Sequence, residues 1–251
     1  GCRLAIDTDA HATHHFDLVN WWLKDVPESV YASGDLVFYG RENAERRGIR
    51  SFAQRGSEAG EDDPFALDLT AKPKLKRMYY DAEKHDGYRR DENVFGYYIS
   101  IEDDMSVLVG YRGGPRMSYH LTAYSPWEGF NIAFNGDAGR LEYTVVESGP
   151  HMSENPVDNV SIRLFPLFGE PHDIPVPESD ESGHGGGDAR LLADIFSLEP
   201  IEDPLERAAD HRAGMSSVMV GIAANRSMAA GRAVPISEIA PFAVSMLSSQ
   251  L

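Results

Sequence analysis

The sequence predicts an α+β domain built mainly on an antiparallel sheet, and three observations carry that prediction. Beyond Val94 apolar and polar residues alternate with a period of two, as along Tyr119, Leu121 and Ala123 and along Leu141, Tyr143 and Val145. The alternating stretches are separated by turns too short for a helical crossover. Segments of helical period lie towards both ends of the chain. At 251 residues, 42% of them hydrophobic, the chain is long enough to bury a substantial core. Residues 1–251 are expected to form a single domain, because large sheet domains reach this size as one unit.

Taken in order, Thr13 to Lys24 places Phe16, Val19 and Leu23 at three- and four-residue spacings and predicts a helix buried on one face, stopped by Pro27. Val30 to Tyr39 is β-branched and aromatic and predicts a strand interrupted at Gly34. Polar, irregular chain follows to Asp63, with a helical turn over Glu42 to Arg47. Turn signals at Glu102-Asp103-Asp104, Gly113-Gly114-Pro115, Pro126 to Gly129 and Asn135-Gly136-Asp137 then divide an antiparallel meander, extended by Val160 to Phe168 and His172 to Val176. Pro177 to Gly187 reads as a polar surface loop. A helix begins at Asp188, and a longer one runs from Asp203 as N-cap and Pro204 at its first position to a stop at Gly231. Its stripe of Leu205, Ala208, Met219, Ala223 and Ser227 is small enough to lie close against a sheet.

Charge and cysteine content narrow the function. With 23 basic and 40 acidic residues the formal net charge is −17, which repels phosphate backbones and anionic lipid, so neither nucleic acid nor a membrane is an expected partner. The acids are spread along the chain and serve solubility. Cys2 is the single cysteine, which rules out an intrachain disulfide and points to a cytoplasmic location. No apolar stretch reaches the length of a membrane span, and the start at Gly1 lacks a signal-peptide pattern, entering an apolar run as if cut from something longer.

Three constellations could carry chemistry. His11, His14 and His15 sit at spacings that bring imidazoles to one side of a helical turn. No HExxH or Cys/His pattern accompanies them, so a metal site ranks below two other readings, backbone-bonded helix-start histidines and one imidazole acting as an acid/base near neutrality. Gly183-His184-Gly185-Gly186-Gly187-Asp188 lets backbone approach an anion or polar sugar at a helix start, and it also reads as a flexible connection capped by Asp188. Asp86 to Asp91, with Tyr88 and Arg90, reads by itself as a solvated turn with local ion pairs.

Together these segments resemble a family. Ala12 to Trp22, Glu83 to Asp91, the hairpin from Trp127-Glu128-Gly129 to Gly139-Arg140-Leu141-Glu142, the His184 to Asp188 loop and Gly221 to Asn225 occur in the order found in the C-terminal domain of Gfo/Idh/MocA-type oxidoreductases. The resemblance implies a large open-faced sheet with helices packed on one face, which closes over a sugar or polyol. In that family a preceding Rossmann domain holds NAD or NADP and donates a lysine. No strand followed by a glycine fingerprint is present in these residues, so the cofactor is expected only with that domain, and the chain is expected to be a fragment or a truncated relative working with a partner.

In that family the first histidine of the HHFD-like motif sits near the reacting carbinol, and the resemblance maps it onto His14. Ala10 stands where the family often has an acid, and His11 where related members often carry a lysine; Asp7, Asp9 and His11 are the residues placed to compensate. The resemblance thus implies the substrate-binding part of a nicotinamide-dependent oxidoreductase acting on a sugar, glycoside or polyol hydroxyl. His14 and His184 are the catalytic candidates, and His11, His15, Tyr88, Arg90 and Asp188 the substrate-binding ones. Two alternatives stay open, a redox-assisted NAD-dependent glycosidase and a non-catalytic sugar-binding or oligomerisation module. Mixed Tyr, His, Ser and Thr on the meander's polar face predict self-association there.

Overall fold

A computed structural model describes residues 12–50, 53–59, 63–176, 186–199 and 201–241. In chain order they form α1 (Ala12–Leu23), β1 (Pro27–Asp35), α2 (Arg41–Arg46), α3 (Pro73–Leu75) continuing as a π-turn over Lys76–Tyr80, α4 (Glu83–Asp86), β2 (Asp104–Tyr111) and β3 (Arg116–Thr122). There follow β4 (Glu128–Asn135), β5 (Gly139–Ser148), β6 (Val160–Pro166), β7 (His172–Ile174), α5 (Gly187–Phe196), α6 (His211–Ala230), β8 (Val234–Pro235) and α7 (Ile236–Ile239). The chain divides into two compact units, residues 1–124 with 209–251 and residues 125–208.

The α+β, antiparallel class expected from the sequence is the one observed. The strands are shared between two four-stranded sheets, in the orders β3-β2-β1-β8 and β4-β5-β6-β7, and not one continuous meander. The change of sheet falls in the turn at Pro126, which brings no backbone N–H to a ladder. Among the described residues every strand pair is antiparallel. No described helix is long and apolar enough to cross a membrane.

In the first unit, alternation along β1 and β2 turns Val30, Ala32, Val107, Val109 and Tyr111 inward. Phe16 from α1 and Met219, Val220, Ala223 and Ala224 from α6 cover them, each large side chain contributing about 1.5–3 kcal/mol by leaving water. Small residues bring α6 close to the sheet. Close approach lets Ser227 complete the edge of β1 beyond the two-residue β8: its hydroxyl accepts from the Ala32 N–H at 2.9 Å and donates to the Arg232 carbonyl at 2.7 Å. A second, aromatic cluster joins Phe38, Phe65, Phe95 and Tyr124, with Phe38 stacked on Tyr124 at 4.8 Å between ring centroids.

The first strand and the long helix have boundaries that differ from the sequence reading. The first strand is unbroken at Gly34, which pairs with Met105, and it ends at Asp35. Beyond it the buried Asp103 carboxylate accepts from the backbone N–H groups of Val37, Phe38 and Tyr39 at 2.7, 2.9 and 2.6 Å, which bends the chain out of the sheet. The long helix starts at His211, because Asp210 accepts from the N–H groups of Arg212 and Ala213 in a side-chain cap. Asp203 instead accepts from the Ala208 N–H and closes a local turn, leaving Leu205 exposed. Gly231, in the left-handed conformation, ends α6 as expected.

In the second unit β4 to β7 form a regular meander, with Phe130 beside Val145 and Tyr143 beside Ile162. Helix α5 starts on Gly186 at φ 85°, so Asp188 is a first-turn acid and not the cap that the sequence suggests.

Candidate active site

Helix α1 carries the histidine pair that the sequence singles out. Phe16 is fully buried, with Val19 and Leu23 packed behind it, which fixes the helix's rotation about its axis. That rotation leaves His14 exposed and turns His15 half inward. Consecutive helical residues point about 100° apart, so the two imidazoles meet different surroundings.

Beside His14 lies Asp17, whose carboxyl burial pushes up, with the nearby His14 pulling it part of the way back. His15 meets Tyr119 of β3, with Nδ1 and the phenol oxygen 2.9 Å apart and the rings 5.6 Å apart. Burial raises the Tyr119 hydroxyl to about 12. Tyr119 also packs edge-on against Phe16 at 5.3 Å, so one strand residue orients both the anchor of the helix and its inward histidine. The sequence held a signal for this contact. Alternation put Tyr119 on the apolar side of its strand, and a phenol on an inner face needs a partner for its hydroxyl.

The Asp86 to Asp91 stretch differs from the solvated turn expected of it by itself. Asp91 is 2% exposed and Arg55 is 8% exposed, and the two are joined through Arg55 Nε at 3.0 Å from Asp91 Oδ1. The same guanidinium reaches Glu83 Oε2 at 3.0 Å, and its second terminal nitrogen bridges both acids. Burial alone would push the Asp91 carboxyl up, but hydrogen bonds from Arg55 and Ser57 outweigh it and hold the group below its usual range. The hydrogen bonds that Arg55 donates to Glu83 and Asp91 in turn raise its guanidinium. This cluster ties the 53–59 segment to α4 and to the chain leading into the aromatic cluster.

Two site candidates lie in the chain between Glu83 and Asp91 of this cluster. Tyr88 is exposed, and its N–H donates to Asp86 Oδ1 at 2.9 Å. The Arg90 guanidinium lies over the Tyr79 ring at 4.6 Å, a cation–π contact. Arg90 also lines a cavity of about 100 Å³ with Gly56, Phe65, Leu67, Asp91 and Asn93. Among the described residues Tyr88 and Arg90 make no bond to the histidine pair. Asp188 is exposed on α5 of the second unit. His11 and His184 lie outside the described residues. Among the described residues no group of three His, Cys, Asp or Glu side chains is arranged to hold a metal ion.

The outer face of the first sheet is a separate polar surface. Tyr31 lies beside Leu108, which lies beside Ser118, and in the next row Ser33, Ser106 and His120 adjoin. Ser106 Oγ is 2.9 Å from His120 Nδ1, and His120 Nε2 is 3.0 Å from Thr122 Oγ1.

Comparison with known proteins agrees with this architecture. Residues 10–236 match the model of an oxidoreductase family's C-terminal alpha/beta domain, GFO_IDH_MocA_C. A protein of Bacillus subtilis (strain 168) named as an oxidoreductase, YteT, is 33% identical over 240 residues, which cover 91% of this chain and 55% of that protein. The crystal structure of an oxidoreductase domain protein from Kribbella flavida superposes with a TM-score of 0.50 at 13% identity, covering 90% of this chain and 50% of that one. This chain thus spans about half the length of either. It belongs to the Gfo/Idh/MocA oxidoreductase family, and the part of that family it matches is the C-terminal alpha/beta domain.

Proposed function

We propose that the chain is the substrate-binding part of a nicotinamide-dependent oxidoreductase acting on a hydroxyl of a sugar, glycoside or polyol, with His14 as the base that takes the hydroxyl proton. The observation that carries this reading is the division within α1. One imidazole is exposed beside a half-buried carboxylate, and its neighbour is bonded to a half-buried phenol, inside the stretch matched to an oxidoreductase family. An exposed imidazole at this place on α1 has the access to a ligand hydroxyl that a general base needs. Tyr88 and Arg90 are assigned to ligand hydroxyls, as are His11, His15, Asp188 and His184.

The described residues contain no parallel strand–helix–strand unit that would cradle a dinucleotide pyrophosphate. NAD or NADP, which accepts hydride in such chemistry, is therefore assigned to residues outside them. Tyr31 and Leu108, exposed side by side and flanked by Ser33, Ser106, Ser118 and His120, support self-association through the outer face of the first sheet.

The test is His14→Ala in a protein that includes a nucleotide-binding half. Single-turnover hydride transfer is expected to fall by roughly two to four orders of magnitude with the melting temperature unchanged. A stable variant with near-normal transfer would remove His14 from the mechanism.

A further inference from the structure

Tyr119 lies on the inner side of β3, where its ring meets Phe16 and His15 of α1 and its hydroxyl lies 2.9 Å from His15 Nδ1. Burial raises the phenol to about 12, so it keeps its proton through neutral and mildly alkaline conditions. A half-buried O–H on an inner face is satisfied by an acceptor within the protein. Among the described residues the partner of this hydroxyl is His15 Nδ1. A proton on Nδ1 would convert that acceptor into a second donor and leave the hydroxyl hydrogen unsatisfied. The imidazole nitrogen is also the more basic atom of the two, and in neutral imidazole one nitrogen donates while the other accepts.

We propose that Tyr119 is a positioning residue that acts through His15. By donating to Nδ1 it holds the neutral imidazole as the Nε2–H tautomer, so that any ligand atom meeting Nε2 must accept a hydrogen bond, and proton transfer is left to His14. This rests on the reading of the α1 histidines as part of the substrate site. It divides the work of two adjacent histidines: the exposed one exchanges a proton, and the one held by the strand presents a fixed donor. A hydroxyl, carbonyl or carboxylate oxygen fits such a donor, whereas a ligand N–H or ammonium does not.

The experiment uses the whole chain, uniformly labelled with nitrogen-15. Long-range proton–nitrogen correlation spectra of the histidine rings are recorded near pH 8, with His15 assigned from the signals lost in His15→Gln. Wild type is expected to show a pyridine-like Nδ1 and a pyrrole-like Nε2 at His15. Tyr119→Phe keeps the ring contacts and removes the hydroxyl, so the single-tautomer pattern should collapse to an average of two tautomers while backbone amide signals of α1 and β3 persist. An Nδ1–H tautomer in wild type overturns the proposal, and so does a folded Tyr119→Phe protein whose His15 pattern is unchanged. Should that variant not fold, the wild-type bridging proton decides. Attachment to the Tyr119 oxygen, with a correlation across the hydrogen bond to Nδ1, supports the proposal, and attachment to Nδ1 overturns it. The spectra read no turnover, so a failure of His14 as base in hydride transfer is distinguishable from a failure of this assignment.

Discussion

Replacing Arg55 with methionine would strand the Asp91 carboxylate inside the protein. Its side chain has no exposed surface, and once the guanidinium is gone Ser57, through its N–H at 3.0 Å and its hydroxyl, is left to donate to it. Glu83, with 17% of its side chain exposed, can still recruit water. Breaking a buried pair on one side costs about 3–5 kcal/mol, because the surviving charge has lost both its solvent and its partner. At about 2–4 °C per kcal/mol for a unit of this size, Arg55→Met should lower Tm by roughly 6–20 °C in scanning calorimetry at neutral pH. Asp91→Asn keeps an acceptor for Arg55 and leaves the Glu83 pair intact, so its cost should be smaller, about 1–3 kcal/mol. The pH dependence follows from the direction of the Asp91 shift. Its folded-state value lies below the unfolded one, so its contribution is fully present above the ordinary carboxylate range and disappears as pH falls through the depressed folded value. Loss of Arg55 should flatten that acid limb. An Arg55→Met protein within 1 °C of wild type, with an unchanged acid limb, would refute the view that this pair holds the segments together.

Asp103→Ala would release the three backbone N–H groups of Val37, Phe38 and Tyr39 at once, and should cost about 3 kcal/mol in urea titration; a loss under about 1 kcal/mol would show that water replaces the carboxylate there. Asp210→Ala should cost about 1 kcal/mol as a lost helix cap, while Asp203→Ala, which serves only a local turn, should cost less, and thermal melts followed by circular dichroism rank the two. Calorimetric titration of the chain with NAD and with NADP should give no saturable heat at micromolar cofactor, and a binding isotherm there would place a dinucleotide cradle within these residues.

The sequence was most legible where one local rule decided the outcome. The three- and four-residue spacing of Phe16, Val19 and Leu23 marks a helix with one buried face, and short turns between alternating stretches mark hairpins. Gly231 stops a helix wherever the rest of the chain goes. Local rules failed where a partner distant in sequence took over. Nothing in Val30 to Tyr39 announces that Asp103, more than sixty residues on, will capture its last N–H groups. Asp203-Pro204 and Asp210 both have the chemistry of a helix start, and the choice fell to the one whose following residues pack on the sheet. Arg55 and Asp91 each sit in a polar stretch that reads as solvated, and only the fold shows them as a buried pair. At the candidate site the sequence marked the histidines by type and spacing, but the partner that distinguishes His15 from His14 lies 104 residues away.

The nearness of α6 to its sheet bears on how mutational tolerance would be distributed in this fold. Ala223, Ala224 and Ser227 are completely buried, and a side chain at Gly34 would come within 3.0 Å of Met105 Cβ and 3.1 Å of Met228 Sδ. Each added methylene must push helix and strand apart, whatever its polarity. Selection on this stripe therefore acts on volume. In a set of diverged relatives these positions should stay small even where the reaction has changed, so their invariance would record a spacing and would mislead a search that equates invariance with catalysis. The positions expected to track substrate are those with room to vary, such as exposed Tyr88.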